Sequence, residues 1–137
     1  MPLLTRTLIK TSLIYFVLAL LAGVGQPLFT LLGLGRAPSG LGPASLHLFV
    51  VGWLTLLIFG VAFWMFPKYS REQPRRSEGL GWAVYVLINL GLVLRVVGAV
   101  GGPDLAGWGW LLAVSALLQW AGALGFVINT WGRVKEK

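Results

Sequence analysis

One histidine and one arginine stand inside long apolar runs of this chain, and chemistry could start there. His47 is the only histidine. An ionisable side chain inside hydrocarbon is a functional hypothesis by default, and neutral imidazole is the commonest metal-ligating group. The plainer reading is a histidine bonded to a neighbouring helix or wetted at the interface. Spacing leaves the two even. Arg95 falls at a similar depth if the runs carrying the two residues are antiparallel. A buried guanidinium needs an anionic partner. The choices are Asp104, a ligand carboxylate or lipid phosphate that suits the planar fork, or headgroups reached by snorkelling.

Helical spacing of about 100° per residue puts Val51, Leu54, Ile58, Ala62 and Met65 behind His47. Such a stripe could floor a flat hydrophobic cofactor, with Val51 and Leu54 nearest; stripes of this kind are more often packing seams. Met65 is about 27 Å along at helical rise and cannot reach the same metal atom. Asn89 and Gln119 lie mid-run, where amides bond across helices for about 1 kcal/mol. Gln26 and Pro27 mark a kink or the end of the first helix.

Other chemistry is excluded or disfavoured. The chain has no cysteine, which removes disulfides, thiolate metal sites, iron–sulfur clusters and a cysteine nucleophile. No nucleophile–base pair, carboxylate pair or phosphate loop is present. Glu72, Glu78 and Glu136 all lie in a loop or the tail. A hydrolase or proton pump built from one chain is therefore disfavoured, and the chain reads as a binding protein more than an enzyme.

The elements that must position these residues follow from hydropathy. The chain is 57% hydrophobic and 11% charged, where a soluble domain is roughly a quarter charged. Roughly 20 apolar residues make a membrane span. Four runs qualify, predicting helices over residues 8–34, 44–66, 80–100 and 105–131 of a single domain, 1–137. Pro43 suits a helix start, and Asp104 suits the N-cap of the fourth helix. The first run is too long for a signal-peptide core and reads as a retained span.

Orientation follows from Lys and Arg placement. Arg6, Lys10, Lys68, Arg71, Arg75, Arg76, Arg133, Lys135 and Lys137 fall on one side. Arg36 stands alone on the other, and Arg95 lies within a run. The expectation is a multi-pass protein of a prokaryotic cytoplasmic membrane with both termini cytoplasmic. Membrane lipid is then a partner. Nucleic acid is not, because the basic residues are split between apolar runs.

The segment HLFVVGWLTLLIFGVAFWMFPKYS, a basic loop, and then GWAVYVLINLGLVLRVVG resemble part of heme-copper oxidase subunit I, nitric oxide reductase most of all. A His opens a helix, a Gly and an apolar stretch follow, a Pro ends it, and the next helix carries an Asn-Leu-Gly centre. Here these are His47, Gly52, Pro67 and Asn89-Leu90-Gly91. The resemblance implies an all-α, four-helix transmembrane bundle equivalent to one arc of that subunit. It implies heme, b-type, with His47 as axial iron ligand and Arg95, with Arg36, toward the propionates. The family's subunit has about twelve helices in three four-helix arcs, so a homotrimer of this chain would supply the ring by the cyclic symmetry that oligomers adopt. With one histidine per chain, the family's copper–heme centre cannot be built.

The leading expectation is thus a heme-holding membrane protein for electron transfer or diatomic gas binding. Its redox partner is not legible. Against it stands a structural or assembly subunit in which His47 only hydrogen-bonds. A small transporter is weaker, since the spans lack paired charges and broken half-helices.

Overall fold

The computed structural model describes residues 1–134; Lys135, Glu136 and Lys137, counted above in the basic tail, lie outside the described residues. Among the described residues no strand occurs, and four helices are each long and apolar enough to cross a membrane. They are α1 (Leu3–Leu31), α2 (Leu41–Met65), α3 (Glu78–Gly101) and α4 (Trp108–Trp131).

Their ends are set by local chemistry, and they shift the expected boundaries. Helix α1 stops at Leu31, not Leu34, because Gly33 turns left-handed at φ 66°, a common helix stop. Pro27 lies inside α1 and does not end it. Helix α2 starts at Leu41 and carries Pro43 in its first turn, where the missing N–H costs little. It ends where Phe66 turns extended before Pro67, as a residue preceding proline prefers. Ser77 caps α3, its hydroxyl accepting from the Leu80 amide at 3.1 Å. Asp104 does not cap α4. That helix begins three residues later than expected, because Gly107 breaks the chain at φ 73° and takes the N-cap position.

The helices run up and down, so the chain has two ends of different character. Leu4, Phe63 and Asn129 all approach Gly81, which gathers the start of α1, the end of α2, the start of α3 and the end of α4. This is the basic end. The main core lies toward it: Leu4, Leu8, Leu56, Phe59, Phe63, Val84 and Ile88. Phe126 of α4 stacks on Phe59 with ring centroids 3.7 Å apart. Toward the other end the core thins to Ala19, Leu48 and Leu92. Helix α4 packs mainly against α3, through small residues such as Gly122, where a Cβ would press on Ile88 at 2.8 Å. The outward faces of all four helices are apolar.

The mid-span amides bond within the bundle. Asn89 accepts from the Tyr15 hydroxyl at 2.8 Å, tying α1 to α3. Gln119 donates to the Gly91 carbonyl at 3.3 Å and to Ser115 at 3.1 Å.

The middle of α2 departs from the expected α-helix. Residues Leu41–His47 are α-helical, Leu48–Thr55 form a π-helix, and Leu56–Met65 are α-helical again. A π-turn closes i→i+5 and takes up about one residue more than an α-turn. The Thr55 hydroxyl follows the same register, donating five residues back to Val50 O at 2.9 Å. The buried line down α2 therefore steps by four: Ala44, Leu48, Gly52, Leu56, Gly60. The stripe expected behind His47 assumed one constant twist, and it breaks here. Leu54, Ile58 and Met65 turn outward at 41%, 53% and 69% exposure.

Candidate functional site

His47 closes the first α-helical segment of α2, one residue before the backbone widens. Short π segments recur at functional sites. Both ring nitrogens of His47 are engaged. Nδ1 lies 2.8 Å from the Pro43 carbonyl, one turn back. Nε2 lies 3.1 Å from Arg95 Nε on α3. A carbonyl can only accept and a guanidinium can only donate. So Nδ1 carries the hydrogen and Nε2 offers its lone pair: the imidazole is neutral, in one tautomer. The expected equality of depth between His47 and Arg95 becomes a direct bond. Asp104 is exposed and makes no ion pair with Arg95; among the described residues the one ion pair joins Arg75 and Glu78.

The pair lies in the wall of a groove of about 380 Å³ with Gly40, Pro43, Trp108 and Leu112. That volume is at the low end of small-molecule sites. Three features build the groove. Gly40 sits so close to α3 that a Cβ there would overlap the Ala99 carbonyl. The Trp108 indole is pinned by its Nε1–H to Gly98 O at 2.9 Å. Arg95, half-buried and lining the groove, makes one side-chain bond among the described residues, to His47. The arrangement can take a carboxylate or another planar anion on Arg95, with an indole beside it.

The other residues marked in the sequence are placed as follows. Val51 is partly buried, packs on both core clusters and shares a second, shallower groove with His47. Leu54 lines neither groove. Arg36 is exposed on the turn after α1, outside the lining of the groove. Among the described residues no three His, Cys, Asp or Glu side chains converge, so they offer no all-protein metal cage. A heme asks less of the protein, namely one nitrogen lone pair with its imidazole held by a second bond. His47 meets that donor requirement through Pro43, provided Arg95 moves off Nε2.

One residue that sequence reading treated only as tail charge proves central to the basic end. Arg133 is 2% exposed. Its Nε donates to Pro67 O at 3.0 Å, and Nη2 donates to Phe63 O at 3.1 Å and Phe66 O at 2.8 Å. These carbonyls belong to the end of α2, whose last turn carries no basic residue of its own. Helix ends leave carbonyls without intrahelical partners, and Arg133 serves them from another element. The missing basic residue in that last turn was the available signal. Asn129 works beside it, exchanging two bonds with the Ser77 backbone at 3.2 and 3.0 Å.

No family model, curated protein or solved structure matches this chain.

Proposed function

We propose that the chain is an integral membrane protein that holds heme b in the groove at the His47 end, for electron transfer or binding of a diatomic gas. The observation that carries this is the state of His47. Its Nδ1–H is committed to Pro43 O, so Nε2 carries the lone pair, which accepts from Arg95 in the wall of the groove. Backbone-anchored imidazole of this tautomer is the usual form of a metal-ligating histidine. Bound heme would supply redox chemistry or an open iron position. His47 would ligate the iron and Arg95, released from His47, would turn its fork to a propionate, with Val51 contributing from the adjoining groove that it shares with His47. Arg36 is exposed outside the groove lining, and its part toward a second propionate rests on the resemblance alone. Leu54 points away and is assigned no part.

The open side of the groove supports self-association, with a homotrimer favoured on the helix arithmetic of the resemblance. The topology proposed is both termini cytoplasmic in a prokaryotic membrane, on the positive-inside bias. That puts the groove at the outer leaflet and the Arg133 end at the inner one.

The test is the visible spectrum of purified protein. Wild type should show a Soret band, natively or after addition of hemin, and His47→Ala should lose it. A band that survives His47→Ala removes His47 as ligand. A colourless wild type that ignores hemin favours the second reading, a structural subunit of a larger membrane complex. One observation favours that alternative: both nitrogens of His47 are already satisfied by Pro43 and Arg95.

A further inference from the structure

The opposite end of the bundle carries a separate site that the heme reading does not use. Between the start of α1, the end of α2 and the loop after it lies a cavity of about 260 Å³. Its polar wall contains Lys68, Arg75 and Arg133, and its apolar wall contains Phe63, Trp64 and Phe66. Among the described residues no acidic side chain lines it; Glu78 pairs with Arg75 from outside. Arg133 is buried: Nε and Nη2 are spent on carbonyls, and Nη1 is enclosed with no hydrogen-bond partner among the described residues.

Arg133 has no acidic partner among the described residues, and a buried guanidinium left without an anion costs free energy that a nearby anionic group offsets. We infer that this cavity binds a phosphate group, that of an anionic phospholipid headgroup, between Lys68, Arg75 and Arg133. Arginine suits phosphate through its fork, and lysine through its point charge. The cavity is smaller than the usual drug-sized pocket, so it fits a headgroup fragment and not a nucleotide. Trp64 stands beside it at 54% exposure, a residue type that settles where acyl chains meet headgroups. Its indole would border the glycerol and the upper acyl chain. Burial, and then the charge of Arg75, push the Arg133 guanidinium below its ordinary range; an anion in the cavity opposes both effects. Basic pockets at the inner face of helical membrane proteins take acidic lipid headgroups on these grounds.

The experiment uses the full chain in detergent, read by native mass spectrometry and thermal unfolding. It is titrated with phosphatidylglycerol, with phosphatidylcholine and with inorganic phosphate. Because Arg133→Ala threatens the fold, the main variant is Lys68→Gln with Arg75→Gln. Among the described residues the side-chain bonding of the two is limited to the exposed Arg75–Glu78 ion pair, which contributes little to stability. Wild type should retain phosphatidylglycerol in preference to phosphatidylcholine, and the double variant should bind it roughly thirtyfold less tightly, the worth of two basic contacts at an anionic surface. Stabilisation by inorganic phosphate, lost in the double variant, would keep the phosphate site and assign it a soluble source. Equal retention of both lipids with no effect of inorganic phosphate would overturn the site. So would undiminished phosphatidylglycerol binding by the double variant.

Discussion

The two ends of this bundle each use one arginine to reach across helices, and they use it differently. At the basic end Arg133 is buried and spends its guanidinium on three backbone carbonyls at the close of α2. At the far end Arg95 is half-buried, faces an open groove and makes one bond, to a side chain that can itself ligate. Carbonyls at a helix end are fixed needs of the fold. A neutral imidazole has other possible partners. The difference teaches where stability and function separate: Arg133 belongs first to the architecture, whereas Arg95 is available to an occupant. The packing agrees. Seven residues make the core toward the basic end, and three make the one toward the groove.

The contrast can be broken most sharply at Arg133. Arg133→Ala leaves three carbonyls without their partner and should cost about 3 kcal/mol or more. Thermal unfolding in detergent would read this as a large loss of melting temperature, partly recovered by Arg133→Lys. A melting temperature unchanged by Arg133→Ala would end the architectural reading.

Next in size is Gly40. Any side chain there meets the backbone of α3, so Gly40→Val should cost about 1–3 kcal/mol as overpacking does. It should also open the groove and weaken hemin uptake. Wild-type stability with unaltered uptake would mean that the close contact of α2 with α3 does not shape the site.

A smaller pair of effects tests the π segment. Gly52→Ala places a Cβ 2.8 Å from Tyr15 and 2.9 Å from Leu92 and should cost about 1 kcal/mol or more. Leu54→Ala, on the outward face, should change stability by less than about 0.5 kcal/mol. Under a uniform α-helix Leu54 would share the His47 face, so a large Leu54 effect would restore that register.

At Arg95 too the effect on stability is expected to be small. Arg95→Gln removes one half-exposed bond, worth less than about 1 kcal/mol, and should leave the melting temperature near wild type. Occupancy of the groove by an anionic ligand should fall severalfold in equilibrium titration. A variant that unfolds while ligand uptake stays intact would reverse the comparison between the two arginines.

Helix existence was legible because hydropathy over some twenty residues is a long, redundant signal. The exact ends were not, because they turn on single backbone conformations. Gly33 and Gly107 take positive φ, and neither glycine differs in sequence context from several that do not. His47 and Arg95 stood out as rare polar groups in apolar runs. Their direct bond did not, since it needs the register of α2 against α3. Arg133 was hidden among tail charges, because burial of a terminal arginine depends on which carbonyls the fold brings to it.

By itself the sequence determined four apolar helices, an uneven placement of basic residues and a single imidazole. Those are properties of composition and order along the chain, and each survives any packing of the helices. Only the tertiary structure decided the rest. It rephased α2 through a π segment, so that the buried line runs through Ala44, Leu48, Gly52 and Leu56 and leaves Leu54 outside. It fixed the tautomer of His47 by placing a carbonyl on one nitrogen and a guanidinium on the other. The physical reason is the same in both cases. Local preference sets which elements form, but the twist of a helix and the proton of a ring answer to partners that lie far away in sequence and adjacent in space.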